Sequence, residues 1–401
     1  MNKVIIIGGG ASGLMAALAC NKEGSEVIIL ERNNKLGKKI LATGNGRCNF
    51  TNVDATELHY NQPYFVKPVF EQMSPKKTLS YFEELGIIPK VEAEGKTYPL
   101  SEQASSIVDV LVYEIMRLGI KVVYEAKVVQ LEKNQTFKVT LEDQTFYEAD
   151  KVILATGGMA MPKSGSDGIG YQLAMSLGHQ MTQIFPALVK LELESPHLKA
   201  LDGVKFPGTV ELIHDGVSIQ SEFGDVLFTR YGISGPTILQ ISRKANALLQ
   251  ENKQVYIKVC LVNGPDKREV ARRFSQLSDK EVDMSLIGLI NKRIIHPLLK
   301  ELNIEPHLII KQLTKDKLNQ LINILFDWRF KVIGSKDFDD AQVTAGGIVT
   351  SDVNPQTLES KKVKGLYFCG EILDIDGLCG GYNLQWAWSS GYISGKYAGK
   401  S

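Results

Sequence analysis

Residues 4–31, VIIIGGGASGLMAALACNKEGSEVIILE, decide how the rest of the chain is read. Residues 4–7 are a short apolar, β-branched run of the kind that forms a strand covered on both faces. The run leads into Gly8-x-Gly10-x-x-Gly13, after which residues 14–20, rich in Ala and Leu, predict a helix. A second apolar strand, residues 27–30, ends in Glu31. In such a unit one glycine permits the tight turn, one lets backbone approach a pyrophosphate, and one lets helix pack on strand. The first helical turn, with Ala11 and Ser12, offers free N–H groups and a positive dipole end to the phosphates. Glu31 stands where a carboxylate accepts hydrogen bonds from ribose hydroxyls.

Glycine-rich turns are common, so the fingerprint alone is weak. Its context makes it specific: a strand before, a helix after, and the acid at the expected distance. Met1-Asn2-Lys3 ahead of apolar residues also suits a secretory signal, but the glycine cluster interrupts any hydrophobic region of that kind.

Composition narrows the class. The 401 residues are 44% hydrophobic, enough for two or three domains with cores of their own. Basic and acidic side chains number 46 and 45, a net charge of +1, so no basic stripe argues for nucleic acid. No apolar run approaches the roughly 18 residues of a membrane span. The five cysteines are scattered, with no C-x-x-C pair for a dithiol or a zinc site, and the six histidines show no ligand spacing. A cytoplasmic protein with no metal, no membrane and no nucleic-acid partner is expected.

Residues 33–52, NNKLGKKILATGNGRCNFTN, leave the second strand at the edge where open α/β sheets bind ligands. Lys35, Lys38, Lys39, Arg47 and three glycines crowd a polar loop with little periodicity. A loop of this length and content is read as wrapping a cofactor, with Lys or Arg near phosphates or ring; a solvated basic turn is the alternative. Arg32, Lys38, Gly44, Asn45, Gly46, Arg47, Cys48 and Asn49 are the candidate contacts.

Residues 64–118 read as helical, with a polar connection at 95–100 and Ser101 as the cap of the second stretch. Short strands follow at 120–124, 127–131, 137–141 and 145–147, the later ones an antiparallel meander of the kind found in flavin-binding two-dinucleotide folds. Residues 151–155, KVILA, form another strand, stopping at Thr156, Gly157 and Gly158, which again bring bare backbone to the ligand edge. The following loop, with Gly165, Asp167, Gly168 and Gly170, either serves a ligand or simply enters the helix at 171–177.

From about residue 185, strands at 188–193, 210–213, 218–220, 226–228 and 254–259 predict an inserted antiparallel sheet or barrel. TRYGISGP at 229–236 is either one face of a substrate pocket, through Arg230 and Tyr231, or a structural corner. Residues 265–325 turn helical, with breaks at Gly288, Pro297 and Pro306, and His296 and His307 read as structural. Strand-like sequence resumes at 332–334 and 341–349. Residues 365–369, GLYFC, are a strand followed by Gly370, Glu371, Asp374 and Asp376. Gly380-Gly381-Tyr382-Asn383 then opens a last helix from Leu384. A carboxylate after this strand suits ribitol hydroxyls, and the helix start would aim its positive end at the pyrimidine edge of a flavin.

Four pieces, IIIGGGASGL, GKKILATGNGRCNFTN, ILATGG and YFCGEILDIDGLCGGYNLQWAWSSG, with LFTRYGISGP between them, resemble the three-domain bacterial flavoproteins known as BaiN-like or YhiN-type NAD(P)/FAD-dependent oxidoreductases. The resemblance covers nearly the whole chain. It implies α/β architecture: a Rossmann-like two-dinucleotide-binding FAD domain (1–184 and 341–401), an inserted β-barrel (185–262 and 326–340) and a small helical domain (263–325). It implies Gly8, Gly10, Gly13 and Glu31 on the ADP half of FAD, and Val128 meeting adenine through its backbone. Gly44 to Asn49 would lie near the flavin, with Gly370, Glu371, Gly380, Gly381, Tyr382, Asn383 and Leu384 at ribitol and ring.

The function expected is hydride transfer between flavin N5 and a small-molecule substrate, with NAD(P)H as a candidate transient donor. No second GxGxxG supports a dedicated nicotinamide domain. A flavin oxidase of a small amine making hydrogen peroxide, and a flavin-bound sensor or interaction protein, are the alternatives. Arg47, Arg230, Tyr231 and Tyr382 are the candidates at the reacting centre, and Cys48 is a redox thiol or a packing residue. The oligomeric state is left open.

Overall fold

Four consecutive apolar residues, Val4 to Ile7, give β1 (Lys3–Ile7) two covered faces; the computed structural model, which describes residues 2–400, sets it mid-sheet. The chain continues into α1 (Ala11–Lys22), buried nearly all round, and β2 (Glu26–Leu30), parallel to β1. The stretch after it is more divided than its apolar pattern suggests. It runs β3 (Thr51–Asn52), α2 (Pro63–Gln72), α3 (Pro75–Glu84), β4 (Pro89–Val91), β5 (Lys96–Pro99) and α4 (Ala104–Arg117). Residues 95–100 are therefore no mere connection, because β5 pairs with β3 on one side and β4 on the other. Nor does Ser101 cap α4, which begins at Ala104 after an N-cap Gln103 without a side-chain bond; buried Ile107, Leu111 and Ile115 set its face.

β6 (Lys121–Val123) joins the β2 edge, and β7 (Val128–Lys133), β8 (Phe137–Leu141) and β9 (Phe146–Ala149) form an antiparallel meander. β10 (Lys151–Leu154) returns beside β1, followed by α5 (Ile169–Ser176) and β11 (Phe185–Ala187).

Pro186–Ala341 is a compact unit of its own. It contains β12 (Leu191–Glu194), α6 (Leu198–Leu201), β13 (Lys205–His214), β14 (Val217–Thr229), β15 (Gly232–Ser234), α7 (Pro236–Gln250) and β16 (Tyr256–Cys260). Then come α8 (Lys267–Gln276), α9 (Val282–Leu286), α10 (Lys292–Glu301), α11 (Lys315–Phe326) and β17 (Trp328–Ser335). The strands close a barrel in the order β12-β15-β14-β13-β16-β17, with Phe228, Trp328 and Phe330 packed ring to ring among its buried residues. Residues 218–220 and 226–228 belong to one strand, since β14 pairs with β13 along its length. Pro297 breaks nothing. It lies inside α10, where burial of Ile294, Ile295, Leu298 and Leu299, each worth roughly 1.5–3 kcal/mol, outweighs the cost of proline, about 3 kcal/mol.

The other unit resumes at Gln342 with β18 (Val343–Ala345), β19 (Leu366–Phe368) and α12 (Tyr382–Gly399). Its parallel sheet has the order β19-β10-β1-β2-β6. Among the described residues no helix is long and apolar enough to cross a membrane. α12 lies against α1 with its glycines on the contact: a Cβ would stand 2.3 Å from the Ser12 carbonyl oxygen at Gly391, 2.2 Å from that of Ala16 at Gly395 and 2.7 Å from that of Cys20 at Gly399. Replacing Gly395 with alanine pushes the two helices apart, and we expect Gly395→Ala to lose about 1–3 kcal/mol in denaturant titration.

Candidate functional site

The glycines of the first turn do three separate jobs. Gly8 has φ +107°, and a Cβ there would lie 2.5 Å from the Ala155 carbonyl oxygen; a Cβ on Gly13 would lie 1.9 Å from the Gly8 oxygen. Gly10, the N-cap of α1, has ordinary extended dihedrals (φ −82°, ψ −167°), and a Cβ there would meet nothing within 4 Å. It borders an elongated cavity lined by Gly8 through Ser12. The cavity follows the C-terminal ends of the strands from β2, at Leu30 and Glu31, to β19, at Gly370 and Glu371. That spans three strand spacings, about 14 Å. Bare backbone and the free N–H groups of α1 thus face its middle.

At the β2 end, Glu31 is 6% exposed and braces the turn. Its Oε2 accepts from the Gly9 N–H at 2.7 Å, and its Oε1 from the backbone and side-chain nitrogens of Asn33, each at 2.7 Å. A carboxylate has lone pairs beyond these, so Glu31 still offers acceptors to a ribose. Arg32 donates to the Gly165 carbonyl and pairs with Asp167 at 2.5 Å. Burial raises the Asp167 pKa, but the bonds to Arg32 and to the Ile169 N–H outweigh it and hold the carboxyl below its usual value. Asn33 donates to the Ser164 carbonyl and Lys38 to the Asn33 side chain, while Val128, Thr156 and Gly157 complete this wall. The loop at 157–168 is therefore fastened across the β2 end.

At the β19 end, Gly370 has φ +76° and sits so close to α1 that a Cβ would be 2.6 Å from Ser12 Oγ. Its N–H donates to Ser390 Oγ and its carbonyl accepts from Trp386 Nε1, both on α12. Glu371 Oε1 accepts from the Thr344 N–H at 2.9 Å, and Oε2 pairs with Lys39 Nζ at 2.7 Å. Thr344 Oγ1 in turn accepts from the N–H groups of Met159 and Ala160. Asn383 and Leu384, in the first turn of α12, close this end. Asn383 fixes the approach by bonding both the N–H and the carbonyl of Gly377.

Other expected contacts lie off the cavity wall. Gly13 and Gly158 act through packing; a Cβ on Gly158 would be 2.5 Å from Thr344 Oγ1. In the 43–49 loop only Thr43 lines the cavity. Gly44, Asn45, Gly46 and Cys48 all take positive φ, a run of left-handed residues that bends the loop sharply. Asn49 accepts from the Thr97 N–H. Arg47 pairs with Glu92 at 2.6 Å and lies over the Tyr98 ring at 4.1 Å. Cys48 is wholly buried and its thiol is pushed up to about 12 by that burial, which leaves no reactive thiolate. Gly380 and Gly381 form the turn into α12, with Gly381 against the Thr51 carbonyl. Tyr382 stacks on His59 with ring centroids 4.8 Å apart, and Asp376 is buried, its N–H bonded to Asn61. Arg230 and Tyr231 belong to the barrel unit, Arg230 exposed and Tyr231 beneath the Lys336 ammonium. The glycines beside them are required by packing: a Cβ on Gly232 would meet the Leu191 carbonyl at 2.1 Å, and one on Gly235 the Asp225 carbonyl at 2.4 Å.

Sequence reasoning passed over Asn33, Ser164 and Ser166 as site residues and preferred Lys38 to its neighbour Lys39. Adjacency to Arg32 and Lys38 was the one local signal for Asn33 and Lys39.

The fold is that of a Rossmann-type dinucleotide domain, and with the relatives that follow the class is an FAD-dependent oxidoreductase. The chain belongs to the HI0933-like family, whose Rossmann-domain model matches residues 2–397. It is 38% identical, over 99% of both chains, to a 3-dehydro-bile acid delta(4,6)-reductase of Clostridium scindens. It is 34% identical, over 97% of this chain and 96% of the other, to a ribosomal RNA dihydrouridine synthase of Haemophilus influenzae. Among solved structures, 3-ketosteroid delta1-dehydrogenase from Sterolibacterium denitrificans shares the fold over all of both chains, with a TM-score of 0.53 and 10% identity. The family resemblance read from the four motifs therefore holds.

The glycine geometry separates binding from folding. We expect Gly10→Ala to keep the unfolding midpoint of the ligand-free protein while weakening FAD binding at least tenfold, about 1.4 kcal/mol, by fluorescence titration. Gly13→Ala is expected to lower the midpoint itself.

Proposed function

We propose that this chain is a flavin-dependent reductase that saturates a carbon–carbon double bond conjugated to a carbonyl in a small-molecule substrate, with NAD(P)H as transient donor. The observation that carries the reading is a cavity running along the strand ends past the glycine turn, in a chain 38% identical, end to end, to a reductase. The residues present suit FAD: Gly10 and the α1 amides for the pyrophosphate, Glu31 for the adenosine ribose, Val128 for adenine, and Glu371 and Asn383 near the ribitol. FAD, when bound, supplies a two-electron centre that takes or gives hydride at N5. The N-terminus of α12 then offers free N–H groups and a positive dipole end toward charge that develops on the ring.

Both relatives' names point the same way chemically. A delta(4,6) 3-dehydro acid is a conjugated dienone, and dihydrouridine is uridine with the double bond beside its carbonyl saturated. The RNA-directed name of the 34% identical relative favours a second reading, in which the acceptor is a uridine in ribosomal RNA. A net charge of +1 gives that reading little general electrostatic affinity to draw on.

The test is anaerobic stopped-flow of the yellow protein with NADH, NADPH or a panel of small amines, each offered alone. The reduced enzyme is then mixed with a 3-oxo-4,6-diene steroid acid or with unmodified ribosomal RNA. Fast bleaching by a nicotinamide and reoxidation by the dienone support the proposal, whereas reoxidation by RNA alone, with dihydrouridine found by mass spectrometry, transfers it to the second reading. Bleaching only by an amine, with peroxide on admission of air, overturns both in favour of an oxidase.

A further inference from the structure

Charged side chains are unevenly spread along the cavity. Glu31, Arg32, Lys38 and Lys127 line it toward β2 and β6, whereas the β19 end has only Lys39 and Glu371 among the described lining residues. Their neighbours there, among them Ile40, Thr43, Val343 and Leu384, carry no charge. The two are a close pair, Nζ to Oε2 at 2.7 Å, with about a fifth of each side chain exposed. Glu371 is held rigidly, since its second oxygen accepts from the N–H of Thr344, a residue 1% exposed. Lys39 comes from the loop after β2, and Glu371 from the turn after β19.

The inference rests on the proposed FAD reading. With the pyrophosphate at the α1 N-terminus and the adenosine toward Glu31, the isoalloxazine would lie toward Glu371 and α12. We infer that Lys39 is a positioning residue that neutralises Glu371 at the flavin end and thereby sets the reduction potential of the bound flavin. Hydride transfer to the ring delivers two electrons with one proton, so the ring gains one negative charge. A neutral ion pair opposes that charge little. Glu371 without Lys39 repels it, and Lys39 without Glu371 attracts it, in a site where water screens less than in bulk. The two single removals therefore shift the potential in opposite directions, which a merely structural role for the pair does not produce.

The experiment is equilibration of the FAD-loaded protein with a redox dye of known potential, reading the ratio of reduced to oxidised flavin for wild type, Lys39→Met, Glu371→Gln and the double variant. Glutamine keeps an oxygen for the Thr344 N–H. Lys39→Met is expected to lower the ratio at fixed poise about tenfold, and Glu371→Gln to raise it by a similar factor, each about 30 mV for a two-electron couple. The double variant should return near wild type, and Lys39→Arg should match it. If Lys39→Met does not retain FAD, Lys39→Gln makes the same charge change with a polar side chain. Shifts of the same sign, or none, in variants that hold FAD overturn the inference and leave the flavin reading intact. A wild-type protein that cannot be loaded with FAD overturns both.

Discussion

The contact between α1 and α12 is the constraint on which the FAD-type unit depends. Gly391, Gly395 and Gly399 ride over the backbone oxygens of Ser12, Ala16 and Cys20, so the helices run parallel, one residue of each advancing with the other. No side chain intervenes, which fixes both separation and axial register far more tightly than a leucine seam allows. In that register the first turns of α12, from Tyr382, extend past the start of α1 and reach the cavity's β19 end. Buried polar groups lock the overhang. Gln385 bonds Thr51, Thr78 and Ser389, Trp386 bonds Gly370, and Trp388 bonds the Phe50 carbonyl. Each is satisfied, so the polar content specifies position without leaving a desolvated donor.

The same economy governs the cavity's carboxylates. Glu31 and Glu371 sit at the ends of two strands and could be read only as ligands for hydroxyls. Each is also an internal brace, Glu31 for the glycine turn and residue 33, Glu371 for β18 and Lys39. A carboxylate already held by N–H donors stays put, so a ligand meets preset acceptors and little reorganisation is required. The loop fastened by Arg32–Asp167 and Asn33–Ser164 preorganises the β2 end in the same way.

The strands, the glycine turn, the meander and the opening of α12 were legible because burial on two faces and the need for bare backbone restrict residue choice strongly. Three features were not. The β3–β5–β4 ribbon is held by backbone pairing, to which residue type contributes little, and it hides inside helix-like periodicity. Pro297 looked like a stop because local propensity forbids it, yet four buried aliphatic neighbours carry the helix through. The TGNGRCN loop announced itself by unusual residues, but several of those serve the chain's own sharp bend; positive φ at Gly44, Asn45, Gly46 and Cys48 accounts for them without a ligand. Sequence rarity there reported backbone conformation.

That distinction explains why no catalytic motif stands out in this chain. Much of what the helix starts present to the cavity is backbone N–H, and an amide is present at nearly every residue type, so sequence cannot mark it. All five thiols are buried or partly buried, and the four with perturbed pKa values are all shifted upward, so none offers a thiolate conspicuous enough to read as chemistry. The charge at the β19 end of the cavity resides in Lys39 and Glu371, which are 332 positions apart. No spacing rule reaches that far. Only the parallel sheet, by bringing the loop after β2 and the turn after β19 to one edge, makes the two side chains a single electrostatic unit.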